Sequence, residues 1–199
     1  VPDFTPRAIG KYYASQKDQI FGAYMESATD RYIYHSMNYY VFGKIMWNVE
    51  TDVESLMEEH YRLMYGKAAP VMKRLMEQVE KDWLTRLSGE VVENEFGVFN
   101  QFPSEYKIWN EIYPSARLHA MEQEYAKAEL LAETELQKRR IRLMKQEFLD
   151  GLQKLSGEYH GNIRQAEEWM ISVPEHDSVS AYLHKLPDGA NTQGHIRIQ

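Results

Sequence analysis

One segment, Tyr39–Pro70, constrains the fold more than any other part of the 199-residue chain. It opens with an almost wholly apolar run, Tyr39–Asn48, and closes on the turn sequence Tyr65-Gly66-Lys67-Ala68-Ala69-Pro70. A helix that is apolar nearly all round has no solvent face and has to be covered on several sides. We therefore predict a helix from about Asp30 to Asn48, packed between other elements, in a chain built to sit inside something larger.

The composition narrows the class of protein. Hydrophobic residues make up 43% of the chain and charged residues 27%, as in an ordinary folded domain. The net charge of −7 argues against nucleic acid as a partner, because nucleic-acid binders usually carry a basic face. No apolar run reaches the length of about eighteen residues that a membrane span needs. The absence of cysteine excludes disulfides and thiolate metal sites.

Turn and capping signals divide the first half into helices. Thr51 and Glu54 have the spacing of a capping box and predict the start of a second helix. Gly66 is expected to end that helix in a left-handed conformation, and Pro70 suits the first turn of a third. The side chains expected to face the core have helical spacing: Val53, Leu56, Met57, Tyr61, Met64, Met72, Leu75, Met76, Val79, Trp83 and Leu87.

The second half predicts a long helical hairpin. A short helix before Pro114 is followed by apolar positions at helical spacing from Leu118 to Ala128, and again from Ile141 to Leu155. Thr134 and Gln137 form a capping box between the two long runs. An antiparallel hairpin is the favoured interpretation, and one continuous helix also fits. A last short helix is expected at about residues 159–170.

Strand signals are few. The apolar run Ile20–Met25 predicts a buried strand, and Val91–Phe99 is either a small hairpin or an ordered loop. Residues 178–183 and 195–198 have strand patterns in the C-terminal tail. The expected fold is therefore mainly α: an antiparallel helix bundle with a long helical hairpin, and minor β structure at the N-terminal strand and the C-terminal tail.

Four short motifs carry a family resemblance. They are Gly22-Ala23-Tyr24-Met25-Glu26, Tyr39-x4-Lys44-x2-Trp47-Asn48, Asp52-Val53-Glu54 and Tyr65-Gly66-x-Ala68-Ala69. Together they resemble the C-terminal part of bacterial alpha-glucuronidase-like proteins that contain a domain of unknown function. The resemblance is clearest over residues 20–83 and weaker to about residue 155. In that family a glycosidase-like (β/α)8 barrel precedes a helical region.

The resemblance implies a domain organisation and a set of partners. Residues 1–29 would be the remnant of a preceding barrel including its last strand, 30–172 the helical domain, and 173–199 a short β tail or the start of another module. The chain would pack on the barrel and support its sugar site without being a complete enzyme. The implied partners are that upstream barrel, an oligosaccharide and a second copy in a homodimer, and the parent would be secreted or periplasmic in a bacterium.

A different class of function also fits the sequence. The chain could be an autonomous helical module that binds a protein partner through the exposed part of the Tyr39–Trp47 helix and catalyses nothing. An exposed apolar patch marks either such a partner site or a surface that has lost its native cover. A gene that encodes an upstream barrel would favour the first interpretation over this one.

Glu26 is the candidate catalytic residue. In the resemblance it lies at the C-terminal end of a barrel strand, where barrels place their active sites. Glycoside hydrolysis needs two carboxylates, and the sequence indicates one. The alternative is a carboxylate that caps the next helix or pairs with a base.

Aromatic side chains are the candidate sugar contacts. Tyr34, Trp47, Phe96 and Phe99 could present rings to a sugar. Tyr34 and Trp47 have helical spacing, however, which is also typical of core residues, with Trp47 as an anchor between helices. The match to the family makes Arg140 a candidate for a buried ion pair with a carboxylate of the preceding helix.

The sequence predicts neither a metal nor a cofactor. No Glu-x-x-His occurs, and His119 with Glu122 is a single pair where three or four ligands are needed. No glycine-rich phosphate loop is present.

Overall fold

A computed structural model describes residues 4–26, 32–95 and 97–172, without the side chains of Asn94 and residues 166–172. The chain divides into two compact units, Val1–Ser156 and Gly157–Gln199, and the sites discussed below lie in the first. The structure is mainly helical with one small two-stranded antiparallel sheet, which confirms the predicted class. The expected tail strands lie outside the described residues.

The elements follow one another along the chain with short connections. The helices are α1 (Pro6–Ser15), α2 (Tyr32–Trp47), α3 (Val53–Tyr65), α4 (Ala69–Asp82), α5 (Glu105–Lys107), α6 (Ser115–Leu131), α7 (Glu135–Lys145) and α8 (Gly151–Ser172). The strands are β1 (Glu90–Asn94) and β2 (Gly97–Gln101), paired in register from Glu90 with Gln101 to Asn94 with Gly97. The predicted small hairpin is confirmed.

Two antiparallel helix pairs, α3 with α4 and α6 with α7, form the body of the bundle. A three-residue loop joins α6 to α7, and the predicted capping box of Thr134 and Gln137 is present in full. The predicted stripes supply most of the core, because helical spacing collects them on inward faces. Their buried members are Leu56, Met57, Tyr61, Met72, Leu75, Met76, Val79, Leu87, Leu118, Met121, Tyr125, Ala128, Ile141, Phe148 and Leu152.

The N-terminal segment lies along α2 and closes one side of the core. The backbone N–H of Thr5 donates to Oδ1 of Asn38 at 2.9 Å, and the rings of Tyr13 and Phe42 are 5.4 Å apart. Because residue numbers rise together in these contacts, α1 runs parallel to α2. Phe4 is 2% exposed and meets the fully buried Phe148 edge to face.

The predicted capping box at Thr51 and Glu54 is wrong. Asp52 caps α3 instead, because its Oδ1 accepts the backbone N–H of Glu54 at 3.1 Å. The Glu54 side chain turns away to Arg7, and the Thr51 hydroxyl donates to the carbonyl of Asn48. The carboxylate of Glu54 that the predicted capping box required is therefore bound to Arg7.

The predicted buried strand at Ile20–Met25 is also wrong for this chain. The segment is irregular, Phe21 is fully exposed, and Tyr24 is 85% exposed. A strand needs a neighbour to satisfy its backbone groups, and the described part of the chain pairs no strand with this segment.

The apolar helix α2 is covered less completely than expected. One face is buried at Tyr34, Met37, Asn38, Val41 and Ile45. Trp47, expected to anchor two helices, is instead 92% exposed at the end of α2. The helix thus retains an apolar side chain at one end that the described bundle leaves open.

Two further expectations are corrected near the C-terminal end of the hairpin. The separate short helix expected at about residues 159–170 is part of α8, which is already helical from Gly151. Nη1 of Arg140 donates to the backbone carbonyl of Met64 at 3.2 Å, at the end of α3, rather than to a carboxylate. A cation at a helix C-terminus satisfies carbonyls that have no partner within the helix.

Wide π-helical turns interrupt the helical segments. They occupy Trp83–Leu87 after α4, Ile108–Ile112 after α5 and Gln146–Asp150 between α7 and α8. In the last of these, Phe148 and Leu149 are adjacent and both fully buried. The extra residue of a π turn lets two consecutive large side chains enter the core.

Replacing Gly66 by alanine should lower the free energy of unfolding by about 2 kcal/mol, through backbone strain and a lost cap. The φ of Gly66 is positive (54°) as expected, but its ψ of −126° lies outside the left-handed helical region. A Cβ there would also approach Nε2 of Gln137 to 2.5 Å and disturb the Thr134 capping box. Urea unfolding measures the change.

The matched control is Gly43→Ala in α2, where a Cβ meets no atom within 4 Å. This substitution should stabilise the chain by about 0.5–1 kcal/mol, because alanine has the higher helix propensity. Equal effects at the two glycines would contradict the conformational role of Gly66.

Candidate functional site

The predicted catalytic carboxylate lies outside any enclosed site. Glu26 is exposed at the end of the irregular segment that follows α1. Its assignment as a barrel-strand residue therefore stays a prediction that depends on the rest of a barrel.

The predicted sugar-contacting aromatics occupy different environments. Tyr34 is 6% exposed and stacks on Phe148, with ring centroids 4.8 Å apart, so its ring belongs to the core. Trp47 and Phe99 are exposed, on α2 and β2, and Phe96 lies outside the described residues. Across residues 4–26, 32–95 and 97–172, no hydrogen bond, ion pair or ring contact joins Glu26, Trp47 and Phe99.

Phe21, Tyr24 and Trp47 are exposed aromatic side chains that together we call the aromatic end. Nζ of Lys17 lies 2.8 Å from Oε1 of Glu50, which ties the residues after α1 to the loop after α2. Phe21 and Trp47 are each within four residues of this pair, so they lie at the same end of the two helices. Tyr24 follows three residues after Phe21.

The sequence did not reveal this surface. Phe21 and Tyr24 belong to an apolar run that has the pattern of a buried strand, and Trp47 continues the apolar face of α2. Apolar periodicity identifies a surface that avoids water, but it does not distinguish a core from an interface.

At the start of α1, Arg7 joins three helices through carboxylates. Its Nε and Nη2 contact both oxygens of Glu54 on α3, and Nη2 lies 2.6 Å from Oε1 of Glu77 on α4. The carboxylate of Glu80, also on α4, accepts hydrogen bonds from Nη1 and from the backbone N–H of Arg7. The bond from the backbone N–H is 2.9 Å long. Glu80 is 3% exposed. These contacts hold α1 against α3 and α4.

The charges of this cluster stabilise one another. The hydrogen bond to Glu54 and those to Glu80 and Glu77 raise the pKa of Arg7, although burial opposes the change. The same bond lowers the pKa of Glu54. Burial raises the pKa of nearby Tyr61, whose hydroxyl has no hydrogen-bond partner among the described residues. Because all three carboxylates are held by hydrogen bonds to one guanidinium, the cluster suits structural positioning rather than proton transfer.

Glu80 was detectable in principle from the sequence. It lies four residues after Met76 and directly after Val79, on the inward stripe of α4. A charged residue at a core position implies a buried partner. The sequence gives no comparable signal for Arg7, which is 73 residues away.

A second buried carboxylate, Asp82, holds α4 to the start of α6. Asp82 is 1% exposed, and its carboxylate accepts hydrogen bonds from both terminal nitrogens of Arg117. Nη1 of Arg117 lies 3.3 Å from Oδ1 of Asp82. Arg117 also donates to the carbonyl of Ile112 at 2.6 Å, and its guanidinium lies 5.0 Å from the ring centre of Tyr113. Burial raises the pKa of Tyr113. This cluster too links elements of the bundle.

His60 on α3 lies beside Tyr40 on α2. Its ring is 5.0 Å from that of Tyr40, and burial, with the charge of Arg140, lowers its pKa. No group of three or more histidine, aspartate or glutamate side chains within the described ranges is arranged to hold a metal ion. No helix in the same ranges is long and apolar enough to span a membrane.

Comparison with known proteins gives no family assignment. No family model, characterised protein or solved structure shows significant similarity to this chain. The geometry of the chain itself therefore carries the functional argument.

Proposed function

We propose that this chain is a helical docking module of a carbohydrate-active, glycoside-hydrolase-like protein, which packs its aromatic end against a barrel domain and supports the sugar site there. The observation that carries the proposal is the exposure of Phe21, Tyr24 and Trp47 at one end of the bundle. Covering side chains of this size contributes about 2–3 kcal/mol each, so their full exposure is costly.

Two of the three exposed residues, Tyr24 and Trp47, also belong to the motifs of the family resemblance. The motifs that resemble the alpha-glucuronidase-like proteins include Gly22–Glu26 and Trp47. A barrel is the neighbour expected from that resemblance, and it would supply the strand partners that Ile20–Met25 lacks. We infer that this segment becomes a strand only when it joins a sheet contributed from outside these residues.

The bundle holds the helices beside this surface in place. Arg7 fixes α1 to two helices, and Phe4 anchors the residues before α1 in the core. Phe21 and Tyr24 lie on the irregular segment after α1, and Trp47 lies on α2. In the proposed complex Glu26 would reach the rim of the barrel, where a sugar could meet it. Trp47 would lie beside the same interface.

The second candidate function is an autonomous module that binds a separate protein through the aromatic end. The same exposed rings favour it, because aromatic residues are enriched at protein interfaces. The two candidates differ in whether the protein surface that buries the aromatic end belongs to the same polypeptide or to a separate protein.

Hydroxyl-radical footprinting tests the proposal. The rate of oxidation would be measured by mass spectrometry for this chain alone and for the polypeptide that also carries the barrel. Phe21 and Trp47 should be oxidised at least about tenfold more slowly in the longer protein, because their rings would be buried there. Phe102 and Tyr106, exposed elsewhere, serve as internal controls and should not change.

Equal oxidation of Phe21 and Trp47 in both proteins would contradict docking on a barrel. Trp47→Ala provides the complementary measurement. It should change the unfolding midpoint of this chain alone by little, because an exposed ring makes few contacts. It should destabilise the longer protein. The affinity of the longer protein for an oligosaccharide would also be measured. A lower affinity in the Glu26→Gln variant would support the sugar-site part of the proposal.

A further inference from the structure

The hairpin formed by β1 and β2 has properties that the proposed function does not use. All five residues of β2 are exposed, and the sheet within the described residues has two strands. Val91 on β1 is 74% exposed and Val98 on β2 is 66% exposed. An isolated two-stranded hairpin is at best marginally stable in water, so additional strands would stabilise it.

The two edges of the hairpin differ in charge. The β1 strand carries Glu90 and Glu93, and Glu95 follows in the turn. The β2 strand, Gly97-Val98-Phe99-Asn100-Gln101, has neither a charge nor a proline. Charged and proline residues are the usual protection of an edge strand against pairing with another chain. The edge of β1 is therefore protected, and that of β2 is open.

The register shows which backbone groups are available on the open edge. A two-residue turn places the pair Asn94 and Gly97 in hydrogen-bonded positions. Hydrogen-bonded and non-hydrogen-bonded pairs alternate along an antiparallel ladder, so Val98 and Asn100 direct their N–H and C=O groups outward. These two residues can pair with another strand without disturbing β1.

We propose that two copies of this chain associate through antiparallel pairing of their β2 strands. A two-fold axis at Phe99 places Val98 opposite Asn100 of the second copy, and Asn100 opposite its Val98. Both are then hydrogen-bonded pairs, which matches the outward groups. Phe99 lies opposite Phe99 of the second copy in a non-hydrogen-bonded pair. Aromatic side chains interact favourably across strands in such a pair.

In a pair of identical copies, charge favours contact through β2 over contact through β1. The four strands would be ordered β1, β2, β2, β1, so the acidic strands lie at opposite edges, about 14 Å apart at ordinary strand spacing. This separation exceeds the Debye length of about 8 Å at physiological salt. Pairing through β1 would instead bring Glu93 beside the glutamates of the second copy. Each copy carries a net charge of −7, so the association should strengthen as salt is added.

Analytical ultracentrifugation of the 199-residue chain over a concentration series tests the pairing, with Val98→Pro and Glu93→Pro as matched variants. Val98 and Glu93 form one cross-strand pair, and the N–H of each points outward. Proline removes that donor from the β2 edge in one variant and from the β1 edge in the other. Val98→Pro should weaken dimerisation by about tenfold or more, because hydrogen bonds between the copies are lost. Glu93→Pro should leave dimerisation unchanged.

Cysteine cross-linking provides a second readout that does not require the proline variants to keep their hairpin. The chain has no cysteine, so a single introduced thiol can pair only with its copy. In the proposed register the Cα atoms of Phe99 and its copy lie about 4.5 Å apart, within disulfide range. Phe99→Cys should therefore form a disulfide-linked dimer under mild oxidation, and the more exposed Val91→Cys should not.

The outcomes separate cleanly. A dimer that Val98→Pro weakens and Glu93→Pro retains supports the proposal, as does cross-linking of Phe99→Cys alone. A monomer at all concentrations overturns it, and so does a dimer indifferent to Val98→Pro. If both proline variants are monomeric, the cross-link decides: its formation at position 99 supports the pairing, and its absence overturns it. None of these results depends on the aromatic end, so the docking proposal stands or falls separately.

Discussion

Replacing Phe148 by alanine is expected to lower the free energy of unfolding by about 4 kcal/mol, because it removes a buried aromatic ring and leaves a cavity. Phe148 is fully buried and stacks on Tyr34 at 4.8 Å, while Phe4 meets its edge at 6.1 Å. Its loss would separate the N-terminal segment from α2 and the α7 side of the bundle at once. Urea unfolding followed by circular dichroism measures the effect.

The matched control for Phe148 is Phe102→Ala, which removes the same ring from a position that is 60% exposed. This control should change the free energy of unfolding by less than about 0.5 kcal/mol. A loss below about 1 kcal/mol for Phe148→Ala would show that the stacked rings do not form a tightly packed core.

Replacing Asp82 by alanine is expected to cost about 3–4 kcal/mol, because it leaves the guanidinium of Arg117 partly buried without its carboxylate. Arg117 is 23% exposed at its side chain and keeps its bond to the Ile112 carbonyl and its contact with the ring of Tyr113. Breaking one half of a buried pair is costlier than removing both halves. The double variant Asp82→Ala with Arg117→Met should therefore be more stable than the single variant. A double-mutant cycle compares the unaltered chain, the two single variants Asp82→Ala and Arg117→Met, and the double variant. Thermal and urea unfolding of these four proteins measures the coupling free energy between Asp82 and Arg117.

The control for Asp82 is Glu129→Ala, which breaks the surface pair of Glu129 with Arg142. Side chains in that pair are 33% and 57% exposed, and exposed pairs contribute about 0–1 kcal/mol. A similar loss for Asp82→Ala and Glu129→Ala would mean that burial does not control the strength of the Asp82 pair.

The sequence predicted those features of the fold that depend on local pattern. The inward faces of α3, α4 and α6 follow from helical spacing, and the Thr134 capping box needs only residues three apart. Features that depend on distant residues were not predictable in this way. Arg7, which is 47 residues away, holds the Glu54 carboxylate that the predicted capping box required.

The candidate site was less predictable than the fold. The apolar run around Phe21 and the apolar residue Trp47 have the same pattern in a core and in an interface. Whether either is covered depends on what packs against it, and a single sequence does not contain that information. The open edge of β2 was hidden for a related reason, because the Val91–Phe99 pattern fits a loop as well as a hairpin.

The π turn at Gln146–Asp150 determines what the deletion of one residue in this segment would do. A π turn behaves as a one-residue insertion within an α-helix, so losing one codon there would restore regular helical hydrogen bonding. Because the wide turn absorbs the extra residue, the residues that follow would keep the same face of the helix after such a loss. Leu152 and Ser156, both buried, would still face the core. The deletion is therefore expected to disturb the turn itself, where the adjacent Phe148 and Leu149 are both fully buried, and not the face that α8 presents to the core.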